Sequence, residues 1–103
     1  MTRSNVLGEF LRARRERVDP ADAGVRVTGV RRTPGLRREE VATLAGISAD
    51  YYLRLEQGRD RNPSPQVLEA LARVLRLDAE ATGYLLKLAS PRVRRRPRRE
   101  VVP

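Results

Sequence analysis

With 103 residues, the chain is long enough for one small domain, and it contains no cysteine and no histidine, which excludes disulfides, thiolate metal sites and histidine-based catalysis. No apolar run approaches the ~18 residues that cross a bilayer, and the N-terminus lacks the apolar core of a signal peptide, so we expect a cytoplasmic protein. Lysine and arginine exceed aspartate and glutamate by 22 to 13, a formal net charge of +9, which points to a polyanionic partner.

The first predicted element is a helix over residues 7–18. Its apolar side chains, from Leu7 to Val18, recur close to the period of about 3.6 residues that places them on one face. Ser4 or Asn5 stands immediately before this pattern and is the expected N-cap. Helix 1 is therefore predicted to be amphipathic, with one face in the core.

A long connection, residues 19–35, follows helix 1. It spans 17 residues and contains three glycines and two prolines. Connections of this length are uncommon inside compact domains and are often functional. Its arginines Arg26, Arg31 and Arg32 are therefore possible contacts to the polyanionic partner.

Two short helices come next, separated by a glycine-containing turn. Helix 2 is predicted over residues 36–46, where Gly46 is the left-handed residue that ends it, and helix 3 over residues 49–57. Ser48 is the expected cap of helix 3, and Ile47 is expected to fill the corner between the two helices. Two short helices joined in this way indicate a helix-turn-helix.

Two further helices complete the predicted domain. Ser64 as N-cap and Pro65 at the first position open helix 4, residues 65–75. Asp78 is the expected cap of helix 5, residues 79–89. The numerous apolar side chains of helix 5 either pack on helix 1 or form a dimer interface. Five helices and no convincing strand predict an all-α domain.

Helix 3 holds two adjacent tyrosines, and its geometry separates their roles. At about 100° per residue, Tyr52 and Leu55 lie on one side of the helix and Tyr51 on the border. We therefore expect Tyr52 in the core. The outward face is expected to carry Ala49, Asp50, Leu53, Arg54 and Gln57.

The stretch LRREEVATLAGISADYYLRLEQGRDRNPSPQVLEALARVLRL resembles the lambda-repressor-like (Xre-type) DNA-binding domain of bacterial transcription regulators. Within it, and just before it, PGLRREEVATLAGIS, DYY and RLEQGR are similar to the MmyB-like regulators. The resemblance covers roughly residues 7–89. It implies a five-helix lambda-repressor-like domain that binds double-stranded DNA sequence-specifically and regulates transcription as a homodimer.

The resemblance also implies that helix 3, residues 49–57, lies in the major groove with its first residues at base edges. The base-reading candidates are then Ala49, Asp50 and Arg54. Arg54 could fork onto O6 and N7 of a guanine, Asp50 could accept from cytosine N4, and Ala49 could meet a thymine methyl. The alternative for Asp50 and Arg54 is an ion pair one helical turn apart on the surface.

Other positions are expected to contact the DNA backbone or to flank the base readers. These are Arg37, Arg38, Tyr51, Leu53, Gln57, Arg59 and Arg61. Arg38 matches a family position that anchors phosphate and usually carries Gln, although a solvated arginine is the alternative. Many relatives have Thr at the position of Leu53, where leucine either suits a thymine methyl or is tolerated. In the family, the glutamate that matches Glu56 pairs with a helix 1 arginine, here Arg15, as part of the scaffold.

The segment 90–103 carries six arginines and one glutamate, so it holds +5 of the net charge and leaves +4 to residues 1–89. We expect residues 1–89 to form the domain and residues 90–103 a flexible arginine-rich tail or linker. As an arm, the tail would track the DNA backbone or minor groove. As a linker, it would lead into the C-terminal ligand-sensing domain that MmyB-like regulators have and this chain lacks, so that any small-molecule ligand would act through that domain.

Other functions fit the sequence less well. The main alternative is a protein-interaction module, antitoxin-like or an adaptor, on the same fold. RNA binding lacks a visible aromatic stacking platform. An enzyme is disfavoured because the chain offers no nucleophile–base pair and no metal cluster. We therefore expect no cofactor, no metal, no membrane contact, and a cytoplasmic, nucleoid-associated location.

Overall fold

A computed structural model describes residues 5–26, 29, 31–60 and 62–89. Those residues form five α-helices and no β-strand, which confirms the all-α prediction. The helices are α1 (Val6–Arg15), α2 (Arg38–Ala45), α3 (Ala49–Glu56), α4 (Pro65–Val74) and α5 (Ala79–Ala89). The predictions for Arg61 and for the tail, residues 90–103, lie outside the described residues.

The predicted end of helix 1 was three residues too late, and the predicted start of helix 2 was two residues too early. Both errors have the same cause. α1 ends at Arg15 because the chain then tightens, with the Val18 N–H bonded to the carbonyl of Arg15 at 3.4 Å. The Arg15 carbonyl also accepts from the N–H of Leu36 at 3.1 Å. Leu36 is thereby pinned to α1 and buried, and α2 begins only at Arg38. Val18 and Leu36 are apolar and continue the helical spacing of their neighbours, so the sequence pattern includes them in the helices. Both are buried, but neither is helical.

Four of the five helices begin directly after a residue that the sequence offers as their N-cap. Each cap side chain accepts a hydrogen bond from a backbone N–H in the first turn, at N···O distances between 2.8 and 3.2 Å. The caps are Asn5, Ser48, Ser64 and Asp78. Each such bond satisfies one of the donors that a helix start leaves unpaired, a contribution of about 1 kcal/mol. For α1 the cap is Asn5.

The last helix packs into the domain along one face. Leu85 and Ala89 of α5 are buried against the common core, and α5 contacts α1 and α4. Phe10 of α1 and Tyr84 of α5 meet edge to face, with ring centroids 5.3 Å apart. The packing of helix 5 on helix 1 is thus confirmed, while Tyr84 and Leu86 keep exposed outer surfaces.

The N-terminus of α1 lies directly against the C-terminus of α3. The Asn5 Nδ2 atom donates to the Glu56 carbonyl oxygen at 2.8 Å. A Cβ atom on Gly8 would stand 2.1 Å from that same oxygen. Glycine at position 8 is therefore required by the close approach of two backbones, and this contact sets where α3 can lie.

The substitution Gly8→Ala is expected to lower the free energy of unfolding by about 1–3 kcal/mol, the usual effect of overpacking a tight contact. Gly83 is the matched control, because it is also helical but has nothing within 4 Å of an added Cβ. Gly83→Ala should raise the free energy of unfolding by about 0.5–1 kcal/mol through helix propensity. Chemical denaturation of both variants measures the difference, and equal effects would show that the α1–α3 approach is looser than described.

Candidate nucleic-acid interface

The turn between α2 and α3 has the geometry of a helix stop followed at once by a new helix. Gly46 adopts a φ of 77°, which is open to glycine at low cost. The N–H of Ile47 then bonds to the carbonyl of Ala42 at 3.0 Å, as in a Schellman closure. Ser48 caps α3 immediately afterwards, and Ile47 packs against the core as predicted. The turn therefore holds α3 in a defined orientation on α2.

The rear face of α3 is buried. Tyr52 and Leu55 are fully buried, and Glu56 is nearly so. Burial, with the nearby charge of Glu56, raises the pKa of the Tyr52 hydroxyl far above its usual range. The prediction that Tyr52 belongs to the core is confirmed. Tyr51 lies at the border of the buried face, half-exposed.

Glu56 forms the predicted ion pair with Arg15, and the geometry is bidentate. Nε of Arg15 donates to one carboxylate oxygen at 2.6 Å and Nη2 to the other at 3.1 Å. Both side chains are only 4% exposed. The remaining Arg15 nitrogen, Nη1, donates to the carbonyl of Leu36 at 2.9 Å. One buried arginine thus joins α1, α3 and the end of the long connection.

A second arginine shares the same carboxylate. Nε of Arg38, the first residue of α2, donates to Glu56 Oε1 at 2.9 Å. The Arg38 side chain is 47% exposed, and its Nη atoms make no further hydrogen bond to the described residues. The predicted phosphate anchor is therefore tied at its base to α3, with the end of its guanidinium turned to solvent.

The long connection is anchored by a third arginine. Arg31 donates to both carboxylate oxygens of Glu40, at 2.7 and 3.1 Å, and to the carbonyl of Gly35 at 2.9 Å. Glu40 also accepts from the backbone N–H of Arg37 at 2.7 Å, which is half of a capping box. Arginine has no acceptor to complete the other half. Arg31 is thus part of the scaffold, whereas Arg26 and Arg32 are exposed.

These ion pairs make the stability of the domain sensitive to acid. Burial opposes ionisation of Glu56, but hydrogen bonds from Arg15 and Arg38 outweigh it and lower its pKa. The hydrogen bond from Arg31 likewise lowers the pKa of Glu40. Because both pKa values are lower in the folded state, the stabilisation is complete above the unfolded value of about 4.3 and is lost as pH falls through the folded values.

We therefore expect the free energy of unfolding to stay level from pH 7 to about 5 and then to fall. The slope is up to about 1.4 kcal/mol per pH unit for each carboxylate between its unfolded and folded pKa. Urea unfolding at a series of pH values measures this curve. Glu40→Gln removes one of the two groups and should flatten it, and an unchanged curve would contradict the assignment.

The outward face of α3 carries the predicted base readers together. Asp50 is 75% exposed and forms an ion pair with Arg54 one turn later, whose side chain is 38% exposed. The Arg54 guanidinium also lies over the ring of Tyr51, with Cζ 5.7 Å from the centroid. At the end of the helix, Gln57 accepts from Nη1 of Arg59 at 3.0 Å. This face therefore offers both donors and acceptors on a rigid support.

The predicted contact residues that the structure describes differ in their exposure. The exposed members are Ala49, Asp50, Gln57, Arg37, Arg38, Arg59, Arg26 and Arg32. The partly buried members are Tyr51, Leu53, Arg54 and Arg31, and the Arg31 side chain is only 14% exposed. The ion pair proposed as the alternative role of Asp50 and Arg54 is present in the unbound chain. The roles of Asp50 and Arg54 in DNA binding therefore remain predictions.

Three contacts that hold the interface are not predicted by the sequence pattern. They join Asn5 to the Glu56 carbonyl, Arg38 to Glu56, and Arg31 to Glu40. A signal for the last is Glu40 at the third helical position, where capping glutamates stand. The first two join residues 51 and 18 positions apart, and no spacing rule connects them.

Two kinds of feature are absent from the described residues. They hold no cluster of acidic side chains that could bind a metal ion. None of their helices is both long and apolar enough to cross a membrane.

The chain matches the model of a known protein family. The family model described as a helix-turn-helix domain matches residues 6–85, which include all of α1 to α4 and most of α5. Neither the curated proteins nor the solved structures contain a match.

Proposed function

Because the chain belongs to the helix-turn-helix domain family, we propose that it is a sequence-specific transcription regulator that binds double-stranded DNA. Within the family, we assign it to the lambda-repressor-like, Xre-type class and to its MmyB-like group. This assignment rests on the motifs PGLRREEVATLAGIS, DYY and RLEQGR. DNA binding accounts for the excess of basic residues and for the rigid mounting of α3.

The observation that carries the proposal is the division of α3 into two faces. Its rear face is locked to α1 and α2 through Tyr52, Leu55 and Glu56. Its outward face carries Asp50 and Arg54, an acceptor and a forked donor, half-exposed or more. A reading helix needs both properties, because side chains must reach base edges from a backbone that does not move.

Within the proposed complex, the outward residues of α3 divide between bases and backbone. Arg54 binds O6 and N7 of a guanine, Asp50 faces a cytosine N4 and Ala49 a thymine methyl. Tyr51, Leu53 and Gln57 flank them. The geometry that supports this assignment is that these residues lie on one side of α3, a helix of eight residues, with Gln57 as its C-cap residue.

Phosphate contacts supply most of the affinity in this proposal. Arg37 and Arg38 stand at the start of α2, and Arg59 follows α3, all exposed. Arg38 has the best supported position, since Glu56 holds its base and leaves its outer nitrogens toward solvent. Each phosphate that such a residue neutralises steepens the fall of log K with log salt by about 0.9. Arg61, Arg26 and Arg32 would add to the flanking contacts.

We further propose that the protein acts as a homodimer on two half-sites, in the cytoplasm, where it is associated with the nucleoid. Regulators of this class bind sites whose symmetry follows their own, and a DNA ligand requires access to the chromosome.

Selection of binders from a pool of random duplexes, at about physiological salt, tests the proposal. Enrichment of one recurring sequence is the expected result, and an inverted repeat with half-sites about one helical turn apart would support the dimer. The Gly83→Ala variant serves as a control, because it changes a residue of α5 outside the proposed interface. Binding without enrichment that disappears as salt rises would contradict sequence-specific reading and favour a protein-interaction module.

A further inference from the structure

The Asp50–Arg54 pair uses only part of the arginine. The contact runs from Asp50 Oδ2 to Nη1 of Arg54. The opposite edge of the guanidinium, formed by Nε and Nη2, makes no hydrogen bond to the described residues. That edge has the two parallel donors that fit the two acceptors of a guanine in the major groove.

The position of Arg54 is limited on two sides. Asp50, one helical turn before Arg54, accepts a hydrogen bond from Nη1 of Arg54. The ring of Tyr51 lies beneath the guanidinium, with its centroid 5.7 Å from Cζ of Arg54. An arginine held in this way loses less side-chain freedom on binding than a solvated one. The two contacts therefore prepare one edge of Arg54 for a planar partner.

A phosphate and a guanine differ in what they demand of this pair. A phosphate is an anion, and it competes with the carboxylate of Asp50 for the same guanidinium while repelling that carboxylate. A guanine is neutral and needs only the Nε–Nη2 edge, so Arg54 can bind it without leaving Asp50. Asp50 thus penalises backbone contacts by Arg54 and tolerates the base contact.

We propose that Asp50 is a specificity-determining residue that directs Arg54 onto guanine by withholding it from phosphate. The inference rests on the proposed function, in which Arg54 reads a guanine, and adds the means by which nonspecific contacts of Arg54 are suppressed. It assigns Asp50 an effect on nonspecific DNA, where Asp50 has no base to read.

The test compares Asp50→Ala and Asp50→Asn with the wild type on two duplexes, the enriched one and a scrambled one of equal composition. Glu69→Gln is the control for charge, because Glu69 is an exposed acid on another helix, α4. Dissociation constants are measured over a range of salt concentrations. Melting curves verify that each variant is folded, and Asp50→Asn keeps the size of the side chain if Asp50→Ala weakens the start of α3.

Asp50→Ala is expected to bind the scrambled duplex more tightly than the Glu69→Gln control does, with a salt slope steeper by about 0.9 as Arg54 gains a phosphate. Its preference for the enriched duplex should fall by about tenfold, the lower part of the range for losing one directed base contact. Asp50→Asn should change both quantities in the same direction.

The inference would be overturned if the Asp50 variants had the same ratio of dissociation constants for the scrambled and enriched duplexes, and the same salt slope, as Glu69→Gln. Asp50 would then act only as one negative charge. Its failure is separable from failure of the proposed function. If the wild type selects no sequence, the proposed function is wrong and this inference falls with it. If the wild type selects a sequence and the Asp50 variants retain the full preference, only the inference is wrong.

Discussion

Replacing Glu56 with alanine is expected to lower the free energy of unfolding by about 3–5 kcal/mol, because it leaves a buried arginine without its counter-charge. Arg15 is 4% exposed, and Glu56 accepts from two of its nitrogens. Small domains have total stabilities of only about 5–15 kcal/mol. The variant should therefore lose a large share of the stability of the domain, and circular dichroism with urea titration measures the loss.

Two comparisons separate the buried charge from other causes. Arg12→Ala breaks the exposed pair between Arg12 of α1 and Glu16, the C-cap residue of that helix, and should cost at most about 1 kcal/mol. The double variant Arg15→Met with Glu56→Leu removes both buried charges together and should recover most of the lost stability. A loss of under about 1 kcal/mol for Glu56→Ala would contradict the structural role given to this pair.

Arg54→Ala is expected to weaken binding to the enriched duplex by about 1–3 kcal/mol while changing binding to a scrambled duplex little. The reason is that one forked arginine reads one base, whereas nonspecific affinity is spread over many phosphate contacts. The half-exposed Arg54 side chain contributes to no buried ion pair, so the fold should survive its removal. Fluorescence anisotropy with both duplexes measures the two losses at one salt concentration.

Arg73→Ala provides the matched control, since Arg73 is an exposed arginine on α4 and its loss changes the charge equally. It should weaken both duplexes alike and only slightly. If Arg54→Ala also weakens both duplexes alike, Arg54 contacts the backbone. Asp50 would then lose the role argued for it above.

The helices and their caps could be predicted from sequence because both depend on local rules. Apolar residues at helical spacing predicted all five helices. A serine or aspartate before three of them predicted the caps Ser48, Ser64 and Asp78, and for α1 the sequence offered Ser4 or Asn5, of which Asn5 is the cap. The inward position of Tyr52 followed from the angle between neighbours on a helix. None of these inferences requires knowledge of another part of the chain.

The partners of the long arginines could not be predicted in the same way. Arg38 and Arg31 were both assigned to DNA, yet each bonds to a glutamate, at 2.9 and 2.7 Å respectively. An arginine side chain has several rotatable bonds and five donors, so the tertiary arrangement decides which acceptor it meets. Arg15 was assigned correctly only because the family resemblance supplied its partner Glu56.

The bounds of α1 and α2 show a second limit of local rules. Val18 and Leu36 were predicted to be helical because they are apolar and lie at helical spacing, but they are buried outside the helices. Backbone pairing between Arg15 and Leu36 ends one helix and delays the next. Such a bond joins positions 15 and 36, and no periodicity records it.

The proposed function requires that α3 reads base edges in the major groove. The most direct test replaces the guanine assigned to Arg54 in the enriched duplex with 7-deazaguanine, which removes the N7 acceptor and leaves base pairing intact. We expect the wild type then to bind more weakly by about 1 kcal/mol or more, whereas Arg54→Ala should bind both duplexes equally. The same loss in both proteins, or no loss in the wild type at any guanine of the site, would contradict it.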